Sequence, residues 1–200
     1  MTLTTLFRGA LAAMAALSLA ACGINSVPAA EETAKAKWAD VEAQFQRRAN
    51  LIPNLVEVAQ GAAENERGIL TEVTEARARA TSVNVTADDL NDPAKMEQFA
   101  AAQGQLGQGI GRLLASFEAY PQIQSNQNFL ALQSQLEGTE NRIAVAIRDY
   151  NEAVRQYNTT IRTFPDTIGA NIIHGAEPLV PYSAVTEGAE VAPEIDMTSN

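Results

Sequence analysis

Two hundred residues suffice for one domain with a real core, and 24 Asp and Glu against 14 Lys and Arg leave a net charge of −10. Nucleic-acid binding needs a clustered basic surface, so this acidic chain argues against nucleic acid as a partner. One His (His174) and one Cys (Cys22) exclude an internal disulfide, a Cys/His zinc site, the paired Glu-x-x-His motifs of a di-iron bundle and a C-x-x-C-H haem attachment, so no metal and no cofactor is expected.

Residues 1–22 (MTLTTLFRGALAAMAALSLAAC) have the layout of a secretory leader: one positive residue, Arg8, an apolar stretch from Ala10 to Leu19, then small residues. Leu19-Ala20-Ala21-Cys22 resembles the lipobox of bacterial lipoproteins. That resemblance implies cleavage after residue 21, acyl chains on Cys22 and a membrane held through lipid. In a Gram-negative cell Gly23, rather than Asp, after the cysteine would permit transfer to the outer membrane. The alternative is an uncleaved membrane helix. The uncharged run extends from Gly9 to Ala30, and a span needs about 20 residues, but Asn25, Ser26 and Pro28 dilute its second half.

Residues 22–30 read as a short tether, and the domain proper as 31–174. From Glu31 an apolar stripe at steps of three and four passes through Trp38, Val41, Phe45, Arg48, Ile52, Leu55, Ala59, Ala62, Glu66, Ile69, Val73, Ala76 and Ala80. This spacing belongs to a helix, since strand faces alternate every two residues. The register is kept across Pro53, which predicts one long helix kinked near Asn50–Pro53 rather than two helices. Arg48 and Glu66 sit on the stripe and are read as snorkelling at the bundle edge.

Residues 81–91 are a polar connection, and Asp92-Pro93 is a helix start. The stripe that follows is Met96, Phe99, Gln103, Leu106, Ile110, Leu113, Phe117 and Tyr120. Among its glycines, Gly104, Gly107 and Gly111 share one face and predict close helix contact; no strand precedes them and no Lys follows, so they are not a phosphate loop. Tyr120-Pro121 stops this helix. Ser125 or Asn126 caps the next, and so short a turn predicts antiparallel neighbours.

The longest uninterrupted stripe runs from Phe129 to Phe164 through Leu132, Leu136, Thr139, Ile143, Ala146, Tyr150, Ala153, Tyr157 and Thr160, with Ile147, Val154 and Ile161 beside it. One long helix is therefore the pillar of an all-α, antiparallel bundle of three to four long helices. Its charged residues (Glu137, Glu140, Arg142, Arg148, Asp149, Glu152, Arg155) read as a solvated face. After Pro165, Ile168, Ile172 and Ile173 are expected to pack on the bundle end. Residues 175–200 form an irregular acidic tail, partly docked through Leu179, Val180 and Tyr182, and His174 reads as a surface residue.

Several stretches together resemble one family. Residues 46–56 (QRRANLIPNLV) are similar to its "RRxxLIPNLV" signature and residues 73–78 (VTEARA) to a second motif. Tyr120-Pro121, Asn126 to Leu130, Leu136 to Ile143 (LEGTENRI) and Tyr150 to Val154 (YNEAV) match its second half. These are motifs of the bacterial LemA proteins. The resemblance covers Trp38 to Phe164, more weakly the tail, and implies a bundle of long helices held outside the cytoplasmic membrane. Family members commonly begin with a transmembrane helix; a leader ending in Leu-Ala-Ala-Cys departs from that. No catalytic residue is carried over.

The reading is then a non-enzymatic scaffold or adaptor in the cell envelope, facing the periplasm or exterior and binding another envelope protein. Arg77, Arg79, Arg142, Arg148 and Arg155 are its candidate anchors, since Arg is enriched at interface hot spots. The alternative is a small-ligand module, which a continuous cavity lined by Arg48, Gln103 and Glu66 would favour and a filled core would count against.

Overall fold

The computed structural model describes the backbone of residues 3–60 and 67–184, and the side chains of Arg8, 25–59 and 67–184. The Cys22 side chain, residues 61–66 with Ala62 and Glu66, and the acidic residues beyond 184 lie outside the described set. Among the described residues there are helices and no strands: α1 Leu3–Gln60, α2 Arg67–Ser82, α3 Pro93–Ser116, the single turn α4 Pro121–Gln124, α5 Gln127–Thr160 and the single turn α6 Asp166–Gly169. The starts read at Asp92 and at Asn126 hold. Asp92 Oδ1 accepts from the amides of Ala94 and Lys95, and Asn126 Oδ1 from those of Asn128 and Phe129, supplying the orphan donors of each first turn.

Two expectations about α1 need correction. Residues 25–30 are not a tether: they belong to the helix, and Val27 is fully buried. The stripe from Trp38 to Ala80 is also not one helix. Arg77 Nε donates to the Ala49 carbonyl at 2.8 Å, although 28 residues of straight helix would separate them by about 42 Å. So α2 runs back along α1, and the helix that continues through Pro53 ends at Gln60. The apolar phase survives because α2 needs the same spacing to bury Leu70, Val73, Ala76 and Ala80.

The hairpin contact has a specific cause. In an α-helix the carbonyl of residue 49 would bind the amide of residue 53, and Pro53 has none. Arg77 fills that vacancy from the neighbouring helix. The two stretches resembling LIPNLV and VTEARA are therefore two sides of one contact.

The helices run up, down, up, down. α5 lies along α1, with Ser26, Trp38 and Arg48 opposite Asp166, Tyr150 and Glu140. α3 lies along α2, with Val73 opposite Gly109 and Glu72 paired with Arg112. The short turn after α3 does not make α3 and α5 the closest backbone pair; they meet through longer side chains such as Phe117 and Phe129, whose ring centroids are 5.6 Å apart. The close approach of α2 to α3 is at Gly109, where a Cβ would meet Val73 Cγ2 at 3.4 Å, while a Cβ on Gly111 would meet nothing within 4 Å. Of the face read from sequence, Gly107 does approach α1, where a Cβ would lie 3.6 Å from Arg48 Nη1, but Gly111 makes no close contact.

The core has two halves. One gathers Ile52, Leu55, Val73, Leu106, Leu113, Phe117, Ile123, Phe129 and Leu136 from all four long helices. The other gathers Trp38, Val41, Phe45, Phe99, Ile143, Tyr150 and Tyr157. Between them lies a layer of buried polar residues, Arg48, Gln103 and Thr139, each one turn from the last apolar residue on either side. In the second half α2 is absent. Its place is taken by the 83–92 connection, pinned by Trp38 Nε1 donating to the Val85 carbonyl at 2.8 Å, and by an extended segment, residues 176–182, carrying buried Leu179 and Tyr182. Docking of Leu179, Val180 and Tyr182 is as the sequence predicts.

Candidate functional site

The side chains that hold this segment come from α5 and repeat. Tyr150-Asn151 and Tyr157-Asn158 are the same dipeptide seven residues apart, two helical turns or about 10.5 Å. Asn158 donates through Nδ2 to the Leu179 carbonyl (2.8 Å) and accepts at Oδ1 from the Leu179 amide (2.9 Å). Asn151 does the same with Tyr182, at 2.9 and 2.8 Å. The Tyr157 hydroxyl donates to the Glu177 carbonyl at 3.1 Å and the Tyr150 hydroxyl to the Val180 carbonyl at 2.8 Å. Each step of seven along the helix matches a step of three along the segment, because three extended residues span about 10 Å. Val180 donates from its other edge to the Leu90 carbonyl.

All six α5 contacts go to main chain, so this surface reads an extended backbone rather than particular side chains. Burial pushes the Tyr150 phenol upward and that of Tyr182 up to about 12, with Arg48 and Glu140 acting weakly on the latter in opposite senses. Both phenols stay neutral through ordinary pH, so Tyr150 keeps its proton for the Val180 carbonyl. Tyr150 and Tyr157 lie between elements, as their stripe positions predict.

Beside the segment is an open groove of about 470 Å³, lined by Val154, Arg155, Asn158, Thr159, Arg162 and Pro181 among others. Arg148, Arg155 and Arg162 follow one another at seven-residue intervals and are all exposed. Arg155 is bound by Glu152 one turn away and Arg148 pairs with Asp149 at 3.3 Å. Arg148 and Arg155 are thus each offset by a neighbouring carboxylate, and Arg162 is the member of the row with no ion pair among the described residues.

The five candidate arginines are not brought together. Arg77 is half-buried in the α1–α2 contact. Arg79 pairs with Glu75 on exposed α2 at 3.8 Å, and Arg142 donates to Thr139 Oγ1 at 3.4 Å. Only Arg148 and Arg155 share a face. Sequence reasoning missed Asn151, Asn158 and Arg162; the repeated Tyr-Asn dipeptide at heptad spacing was the available signal.

Arg48 does not snorkel. It is 4 % exposed and spans three helices. Nη2 donates to the Gln103 carbonyl (2.9 Å) and Oε1 (2.8 Å), Nη1 donates to Glu140 Oε1 (3.1 Å), and the guanidinium lies 5.0 Å from the Phe45 ring centroid. Gln103 Nε2 donates in turn to the Ala80 carbonyl at 3.2 Å, where α2 ends. Arg48 and Gln103 therefore bond each other, although Arg48 Nε is buried without a hydrogen-bond partner. The gap there, bounded by Glu42, Phe45, Ala80 and Gln103 among others, measures about 80 Å³, against roughly 300–1,000 Å³ for a ligand pocket. Burial raises the Glu42 carboxyl there above the ordinary range. Among the described residues no three His, Cys, Asp or Glu side chains are grouped to hold a metal ion.

The sequence profile of the LemA family matches residues 37–197, which includes α5, both Tyr-Asn pairs and the segment they hold. The chain belongs to the LemA family. Its relatives include the proteins named magnetosome protein MamQ 1 and MamQ 2 of Paramagnetospirillum magneticum, each 28 % identical over 145 residues, 64 % of this chain and 53 % of theirs. Magnetosome protein MamQ of Magnetospirillum gryphiswaldense is 27 % identical over 136 residues, 60 % of this chain and 50 % of its own. This LemA-family chain thus spans about half the length of the curated relatives it matches. Among its described residues no helix is long and apolar enough to cross a membrane; the side chains of the apolar run up to Ile24 are outside that set.

Proposed function

We propose that this LemA-family chain is a membrane-associated, non-enzymatic envelope protein that presents the α5 groove to an extended, acidic segment of another envelope protein. The single observation that carries the reading is the Tyr-Asn ladder. α5 already binds one extended backbone, and the open groove beside it offers Arg155 and Arg162 to a second chain. An acidic partner fits the arginine row, because complementary charge steers encounter and fixes register. Membrane association is supported by the family, by relatives that are magnetosome proteins by name, and by the apolar leader. Attachment through acylated Cys22 is part of the proposal: labelled palmitate should enter the wild-type chain and not Cys22→Ser, and two or more acyl chains make such an anchor stable. The small-ligand reading is the weaker one, since the gap beside Gln103 measures only about 80 Å³.

The test is in-cell photocrosslinking from a benzophenone amino acid placed at the exposed Thr159. A discrete protein adduct is expected, lost in Arg155→Glu/Arg162→Glu while helical content and unfolding midpoint are kept. Absence of any adduct, or one indifferent to charge reversal, would overturn the groove as the binding site.

A further inference from the structure

The turn after α5 is where the sequence reading fails most plainly. Ile168, Ile172 and Ile173 do not pack on the bundle end; they are 45 %, 78 % and 57 % exposed, and Phe164 is 70 % exposed. Gly169 and Ala170 make the packing contacts instead. Of the six large apolar side chains exposed among the described residues, four fall within these ten positions. Singly exposed apolar residues are ordinary, but a group of this size on one short turn marks a contact surface.

Its position says what the contact is. Ser26 Oγ donates to Asp166 Oδ1 at 2.6 Å, and α1 packs against both α6 and the π-helical turn Ala170–His174 that follows it. Toward its N-terminus α1 continues as helix past Ser26, into the run from Gly9 to Ile24 that carries no charge. At a rise of about 1.5 Å per residue, Cys22 on that helix is four residues, or about 6 Å, beyond Ser26. A surface that holds acyl chains on Cys22 therefore also meets this turn with Phe164, Ile168, Ile172 and Ile173.

We propose that the 164–174 turn is an interfacial membrane-contact element: its four apolar side chains enter the headgroup–acyl boundary of the bilayer that holds the acyl chains of Cys22. The bundle is then a rod standing on this end, with Leu130 at the far end of α5, about 50 Å away. The occupant is a lipid surface rather than a second copy because the turn packs on α1 four residues from the proposed lipid anchor at Cys22. Charge argues for neutral lipid, since a chain of net charge −10 is repelled by anionic headgroups. The side chains add contact area to the anchor, as amphipathic interfacial segments do when they settle about 5–10 Å into the boundary. The inference rests on the membrane association proposed above.

The experiment places a benzophenone amino acid at Ile172, at Ile173 or at Leu130 in the full chain reconstituted with phosphatidylcholine vesicles. Flotation, photolysis and mass spectrometry for phospholipid adducts follow. Adduct yield from 172 or 173 is expected on the order of tenfold above that from 130, as interfacial burial of one end requires. A chain that floats with vesicles yet gives no lipid adduct at 172 and 173, or equal yield at 130, overturns this inference and leaves membrane association standing. A chain that does not float overturns both.

Discussion

At Pro53 a single missing amide organises two helices. The freed Ala49 carbonyl is bonded by Arg77 from α2, so the two residues should be energetically coupled. Arg77→Met should cost about 1–3 kcal/mol by leaving a buried acceptor unpaired. In a Pro53→Ala background, where helix α1 supplies its own amide, the cost should fall by about 1 kcal/mol or more. Urea unfolding of the four proteins measures this; equal costs in both backgrounds would show that Arg77 only packs. The buried phenols make a second claim at this scale. The Tyr182 phenol is raised to about 12 and that of Tyr150 is also raised, both by burial. The unfolded chain loses these protons first, so stability is fully present below about pH 10 and falls as pH rises from there toward 12. Tyr182→Phe should make the unfolding midpoint less steep in pH across that window, and an unchanged slope would mean that Tyr182 is exposed to water.

Among elements, the stripe from Phe129 to Phe164 marks α5 because nothing interrupts it: Leu132, Leu136, Ile143, Tyr150 and Tyr157 are all buried. The reversal between α1 and α2 is hidden because α2 repeats the apolar phase of α1, and periodicity reports phase rather than direction. The arginine at 48 looks like an edge residue, since a sequence does not show that Gln103 and Glu140 come from two other helices to meet it. The Tyr-Asn pairs are hidden for another reason. Asn151 and Asn158 flank the stripe and carry no charge, and their partners are main-chain atoms, which have no residue signature. Asn151→Asp/Asn158→Asp keeps the acceptors but removes both donors and sets carboxylates against the Leu179 and Tyr182 carbonyls. Limited proteolysis should then cut near residues 176–184 at least about tenfold faster, in line with about 0.5–1.5 kcal/mol per lost hydrogen bond; unchanged cutting would show that the segment is held by its apolar side chains alone. On α3, Gly111 meets nothing, so Gly111→Ala should raise stability by up to about 1 kcal/mol. A lowered thermal midpoint would place a neighbour against it.

For the whole molecule, function follows from a division of labour along a rod. One core half is closed by four helices, and the other uses the chain's own extended segment where α2 has ended. The Arg48–Gln103 layer lies between them and ties α1, the end of α2, α3 and α5 at one level. That arrangement sets the α5 groove beside the segment and the 164–174 turn at the end where the apolar run departs. All of this requires the segment to be seated on α5 in solution. Native-state hydrogen exchange of the full chain tests that directly. The amides of Leu179, Val180 and Tyr182, bonded to Asn158, the Leu90 carbonyl and Asn151, should be protected to a degree comparable with the buried turns of α5 around Tyr150. Exchange of these three amides at the rate of an unstructured peptide would contradict it.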